Sequence, residues 1–303
     1  MSVPLTLTAH QAVARYQEVR SRFPNAHHPK HSRTVANLTE LVDDIDVFIL
    51  DGFGVLNVGE SVVPGAVEHV SALQRAGKVV KVITNGAGKP VDLTFSKYAH
   101  WGFNFSLDDV ISSRDALDRA LSLLDPKLSW GFMAPDFAQI HRLATNGFWL
   151  GDTPREFDEA EGFVLLSTTQ WSEAQHQMMV DSLKNHVRPV VVGNPDLVAP
   201  HPNGFSLEPG LYAHALADET GVEPEFFGKP FPDVFTLMEE RLNVIDRKRI
   251  AMVGDTLHTD ILGGAAFGWS TVLITDHGLL KGLDVEAAID SSGIRPDYIA
   301  PTT

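Results

Sequence analysis

Three polar residues stand directly behind strand-like runs rich in apolar residues in this 303-residue chain. Asp51 follows Val47-Phe48-Ile49-Leu50, Thr84 follows Val80-Lys81-Val82-Ile83, and Asp255 follows Ile250-Ala251-Met252-Val253-Gly254. If the three runs are neighbouring parallel strands, two carboxylates and a hydroxyl converge beyond the strands' carboxyl ends, where open α/β sheets bind ligands. Carboxylates held close repel each other, and a hard cation bound by oxygen ligands removes that repulsion. Mg²⁺ held by one or two carboxylates, phosphate and water is the usual arrangement. Alternatively each carboxylate caps a turn or a helix, the commoner role for any one of them alone. A phosphoryl group at that point needs positive charge on its other side, and Lys229 in Phe227-Gly228-Lys229-Pro230 is the candidate, since the flanking Gly and Pro set a turn that can aim the ammonium inward. Asp260, close after Asp255, either caps the next helix or reaches the cation's water shell; the frequency of Asp at helix N-termini favours the cap.

Composition narrows the ligand. Lys and Arg number 24 against 39 Asp and Glu, so the net charge is 24 − 39 = −15. That field repels phosphate backbones and anionic lipid, which argues against nucleic-acid and membrane partners. A small phosphorylated metabolite is repelled too, so its site must offset the field locally with a cation. There is no Cys, which removes disulfides, thiolate catalysis and thiolate metal ligation together. No run reaches the ~18 apolar residues of a membrane span, and the N-terminus lacks a basic start followed by an apolar run. A cytoplasmic location is expected. Homo-oligomerisation is left open by the sequence.

The elements that must position these residues read as βα units. The run Val47-Phe48-Ile49-Leu50 is continuously apolar, as in a strand buried on both faces of a parallel sheet. Pro64-Gly65 opens a helix along Val67, Val70 and Leu73 that Gly77 closes, and Thr259 to Phe267 reads as the helix after Asp255, ended by Gly268. Thr271 to Ile274 is one more strand. Strand-like runs at Gly162 to Leu166 and Pro189 to Val192 lie between the two βα-rich ends. The fold expected is α/β: a doubly wound parallel-sheet core over residues 46–115 and 209–303, an inserted α/β domain over 116–208, and an N-terminal helical extension over 1–45 carrying Val13, Tyr16 and Val19.

In order along the chain, Asp51-Gly-Phe-Gly-Val-Leu, Ile83-Thr84-Asn85, Gly228-Lys229-Pro230 and Val253-Gly254-Asp255-Thr-Leu-His-Thr259-Asp260 resemble the four motifs of the haloacid dehalogenase (HAD) superfamily. The Gly-Lys-Pro and GDxxxTD forms, the large insert after the second motif and Asn194-Pro195-Asp196 are similar to its class IIA, NagD-like and 4-nitrophenylphosphatase-like branch. The resemblance covers roughly Asp46 to Thr275. It implies a Mg²⁺-dependent phosphatase of small phosphorylated metabolites that passes through an aspartyl-phosphate, with the insert as a cap. On that basis Asp51 is the nucleophile, and Thr84, Asn85 and Gly86 hold the phosphoryl oxygens. Lys229 neutralises charge, and Asp51, Asp255 and the backbone carbonyl of Phe53 hold Mg²⁺.

One residue departs from the pattern. The family's phosphatases carry a second Asp two positions after the nucleophile, as general acid and base, and here that position is Phe53. A phenyl ring moves no proton, and such help is typically worth ~10²–10⁴ in rate. Two alternatives follow: a degenerate member that binds a phosphorylated ligand without efficient turnover, and a carbon–halogen hydrolase, against which the GDxxxTD motif argues. Gly86-Ala-Gly88-Lys89-Pro90 lacks the P-loop Ser/Thr and reads as a loop. His27, His28 and His31 are expected to be solvated, His258 to have a surface or packing role, and Trp101, Trp130, Trp149 and Trp171 to pack core or cap.

Overall fold

The computed structural model describes residue 3 and residues 6–243 and 246–303. Residues 1, 2, 4 and 5 of the expected extension, and 244 and 245 of the expected core, lie outside the described residues. A seven-stranded sheet runs in the order Arg33–Thr34, Tyr298–Ala300, Ser270–Ile274, Ile250–Gly254, Val47–Leu50, Val79–Thr84, Val110–Ser112, every pair parallel. From the central Val47–Leu50 strand the chain winds outward in one direction through Val79–Thr84. It returns to wind the other way from Ile250–Gly254. The strand order therefore reverses beside Asp51, which is where such sheets open a ligand crevice.

The continuous apolar runs follow from burial on both faces. Phe48 and Leu50 join one core with Val82, Ala251 and Val253, whereas Val47 and Ile49 join another with Ile83, Ile250 and Met252. Alternate side chains thus enter opposite layers. Helix Ala66–Arg75 covers one layer through Val70 and Leu73.

A second parallel sheet is built within residues 129–226, in the order Glu225–Phe226, Val190–Val192, Gly162–Leu165, Ser129–Met133, Asn146–Trp149. An antiparallel hairpin, Val198–His201 with Gly204–Leu207, leads from it into helix Pro209–Thr220. The N-terminal helix Ala9–Glu18, opened by a Thr8/Gln11 capping box, lies between the two sheets. Its Ala12 and Tyr16, with Val19 and Phe23, pack on Leu257, Ile261 and Leu279 and also on Leu197 and Leu211. Among the described residues no helix is long and apolar enough to cross a membrane.

The helix expected from Thr259 to Phe267 is divided. A π-helical turn spans Leu257–Ile261 and the α-helix is Leu262–Phe267, closed by Gly268. The wide turn keeps Asp260 in the site, as described below. Of the bland expectations, His27 and His31 are exposed but His28 is half-buried, and Trp149 is 39% exposed where Trp130 is in the core.

Candidate active site

Asp51 extends its strand by one residue, its N–H donating to the Val253 carbonyl at 2.8 Å. This bond fixes Asp51 beside the end of the Ile250–Gly254 strand, and so beside Asp255. The chain then turns sharply, and Gly54 adopts φ 78° within 2.5 Å of where a Cβ would strike Asp255. Only glycine combines that backbone conformation with that approach. One carboxylate oxygen from each of Asp51, Asp255 and Asp260 lies within 4.8 Å of the others, all three buried. Asp255 is held by the Leu279 N–H at 2.6 Å and the Thr256 hydroxyl at 3.1 Å.

Asp260 is not the helix cap expected of it. Thr256 holds the N-cap position, and the π turn brings Asp260 back beneath it to accept the Thr256 N–H at 3.1 Å. The other oxygen of Asp260 pairs with Lys229 Nζ at 2.9 Å. Lys229 Nζ also donates to Asp51 Oδ1 and to the Ile83 carbonyl at 3.1 Å, so one ammonium serves two carboxylates and a backbone carbonyl. The Lys229 loop is held in place by Asn85. Its Oδ1 accepts the Lys229 N–H at 2.8 Å, and its Nδ2 donates to the Lys229 carbonyl at 2.9 Å and to Asp196 at 2.8 Å. Gly228 passes Asn85 with φ 134°, where a Cβ would lie 2.7 Å from the Asn85 oxygen. Thr84 is buried beside Asp51, and its hydroxyl accepts the Gly86 N–H at 3.2 Å.

Three buried carboxylates against one ammonium leave a local excess of negative charge. Burial pushes Asp51 up to about 6, against the pull of Lys229 and with the push of Asp260. Burial, then the charges of Asp260 and Asp51, pushes Asp255 up to about 8. Burial alone would lower Lys229, but Asp260, Asp51 and Asp196 outweigh it and hold the ammonium well above its ordinary value. The donor set is all carboxylate oxygen, clustered and short of positive charge. It fits a hard divalent cation.

Asp51, Thr84 and Gly86 open onto a cavity of about 550 Å³ between the two sheets. Its far wall comes from the second sheet's side: Asn194, Asp196, Glu208 and Ser167. Glu208 accepts from Asn194 at 3.0 Å and from Ser206 at 2.6 Å, and burial raises it to about 7. Burial likewise holds Asp196 well above the carboxylate range. The Gly193-Asn194-Pro195-Asp196 string ends an apolar strand just as Gly254-Asp255 does, which is the signal that could have marked Asp196 as a wall residue. Glu208 has no comparable signal. Phe53 lines the cavity too, its ring 6.2 Å from that of His201 and 4.9 Å from Lys97 Nζ.

Behind the carboxylates, Tyr16 of the N-terminal helix stacks on His258 at 5.0 Å and 10°. Its hydroxyl accepts the Leu197 N–H at 3.0 Å, next to Asp196. His258 is thus a packing residue, and burial drops it to about 3. Tyr16→Phe leaves a buried N–H without a partner, so the denaturant midpoint should fall by an amount worth ~1–3 kcal/mol at unchanged slope. An unchanged midpoint would mean that water replaces the bond.

Residues 48–142 match the haloacid dehalogenase-like hydrolase family and residues 226–303 the HAD-hydrolase-like family. A dihydroxyacetone phosphatase of Corynebacterium glutamicum is 26% identical over 255 residues, covering 83% of this chain and 87% of its own. In fold, the chain superimposes on a HAD-superfamily possible sugar phosphatase from Cytophaga hutchinsonii with TM-score 0.76, at 23% identity over 90% of this chain and 98% of the other. It also superimposes on a magnesium complex of a glycerol phosphate phosphatase from Mycobacterium tuberculosis with TM-score 0.67, at 21% identity over 86% and 76%.

Proposed function

Because the chain belongs to the HAD-like hydrolase superfamily, we propose that it is a Mg²⁺-dependent phosphatase of small phosphorylated metabolites acting through Asp51. The observation that carries this reading is the cluster of Asp51, Asp255 and Asp260, two of them paired with Lys229, next to the inter-sheet cavity that Asp51 lines. Asp51 is the nucleophile. An Oδ of Asp51 forms a bond to phosphorus as the ester oxygen leaves with the bonding pair, giving an aspartyl-phosphate that water hydrolyses. Lys229 offsets charge on the transferred group, and Thr84 with the Asn85–Gly86 segment holds its oxygens. Asp51, Asp255 and the Phe53 carbonyl would hold Mg²⁺, which when bound supplies charge neutralisation at the phosphoryl oxygens. The second sheet, with Asn194, Asp196 and Glu208, serves as the cap that closes over the substrate. The C. glutamicum phosphatase and the magnesium-bound M. tuberculosis enzyme support the reading by likeness. A screen of phosphate monoesters with and without Mg²⁺ tests it; hydrolysis of none, or equal rates with a chelator, would overturn it.

The raised carboxylates give this reading a pH signature. A carboxyl whose folded pKa is raised stabilises the fold below its unfolded value, near ~3.9, and loses that contribution as pH rises through the folded value. For Asp51 and Asp255 the window runs up to about 6 and about 8. The metal-free protein should therefore lose stability between roughly pH 4 and pH 8 from these groups. Mg²⁺ competes with the protons, so its stabilisation should grow across the same window, reaching ~2.7 kcal/mol at a hundredfold excess over Kd. Melting temperatures at about pH 5 and about pH 8, with Mg²⁺ and with chelator, measure this. A Mg²⁺ shift that is larger at the lower pH would contradict it.

A further inference from the structure

The cavity that Asp196 and Glu208 line also carries two lysines with an unusual setting. Lys97 Nζ sits 4.9 Å from the centroid of Phe53, 4.8 Å from that of Trp101 and 5.5 Å from that of Tyr98. Lys89 Nζ sits 5.5 Å from the centroid of Phe137. Both line the cavity that Asp51 floors. Among the described residues neither is ion-paired to a carboxylate, whereas Lys78 and Lys81 on the neighbouring strand are paired with Asp46 and Asp109. Burial lowers the pKa of Lys97; the charge of Glu60, exposed at the cavity rim, and more weakly that of Asp51 favour its ammonium, and Lys89 opposes it. Two lysines, Lys97 half-buried and seated on aromatic faces and Lys89 more exposed, therefore line one cavity in a chain of net charge −15.

We infer that Lys97, positioned by the Phe53 ring and assisted by Lys89, binds a second anionic group of the substrate, so that the preferred substrates are phosphate monoesters bearing a carboxylate or a second phosphate. This rests on the phosphatase reading: Lys229 takes the transferred phosphoryl group over Asp51, and the Lys97 wall takes the other anion. It also gives Phe53 a role. A carboxylate at that position would pair with Lys97 and cancel the charge; a phenyl ring holds the ammonium through its face and leaves it free for ligand.

The test compares size-matched pairs: 3-phosphoglycerate against glycerol 3-phosphate for the carboxylate, and fructose 1,6-bisphosphate against fructose 6-phosphate for the second phosphate. The expected result is a kcat/KM ratio of ~10 or more in favour of the more anionic member of at least one pair, since a charge-assisted contact is gained. Lys97→Met should bring that ratio close to one, and Lys97→Arg should restore most of it. A ratio near one in the parent, or a high ratio that survives Lys97→Met and Lys97→Met/Lys89→Met, overturns the inference. If 4-nitrophenyl phosphate and all four esters are inert, the phosphatase reading fails on its own. Calorimetric affinities of the same pairs for the parent and Lys97→Met proteins then decide the anion question, with equal affinities counting against it.

Discussion

Asp51→Asn should lower turnover of every accepted phosphate ester by ~10³-fold or more, the scale on which loss of a nucleophile is felt. The amide is nearly isosteric and can still accept the Lys229 bond, but its oxygen does not form a stable acyl phosphate. The fold should persist, because the variant removes a buried carboxylate that burial and Asp260 already disfavour. Melting temperature and circular dichroism should remain close to the parent's, and acid-quenched protein should show no phosphate on this chain by mass. Retained turnover in a folded variant would remove Asp51 from the mechanism.

The second large effect concerns the leaving group. With Phe53 where an acid would stand, an ester whose alcohol leaves without a proton should be cleaved ~10²–10⁴ times faster than one that needs protonation. Rates across a series of aryl and alkyl phosphates should fall steeply with leaving-group pKa. Phe53→Asp should flatten that slope and raise alkyl-phosphate turnover by up to ~10²-fold. The same substitution places a carboxylate beside Lys97, whose Nζ is 4.9 Å from the present ring, so any preference for a second anion should fall in the same variant. A flat slope in the parent, with Phe53→Asp no faster, would show that another group handles the proton.

Much of the site could be read along the chain because its residues sit at the ends of elements with strong local signatures. The runs behind Asp51 and Asp255 are apolar throughout and the one behind Thr84 is interrupted only by Lys81; such runs form strands buried on both faces, and a polar residue ending one is delivered to the sheet's carboxyl edge. The Gly-Lys-Pro turn was equally visible. The residues misread or missed are those whose roles depend on partners far away in sequence. Asp260 looked like a cap because Asp opens many helices, yet a π turn directs it to Lys229. Glu208 stands between the hairpin and helix Pro209–Thr220, with no periodicity to mark it. Lys97 is an ordinary lysine of helix Val91–His100 until the rings of Phe53 and Trp101 are seen around it.

The sequence by itself determined that this is an α/β protein with chemistry at strand ends, a cation-demanding pair of carboxylates and no residue at position 53 able to move a proton. These follow from residue type and short-range pattern, which local backbone physics converts into strands, turns and exposed carboxyl edges. Tertiary structure alone decided which strands are neighbours. It brought Lys229 to Asp51 across 178 positions, placed Tyr16 between Leu197 and His258, and set the two lysines on the cavity wall. Those contacts join segments far apart in sequence, so no local pattern encodes them. They arise only when the two sheets and the N-terminal helix bury their apolar faces against one another.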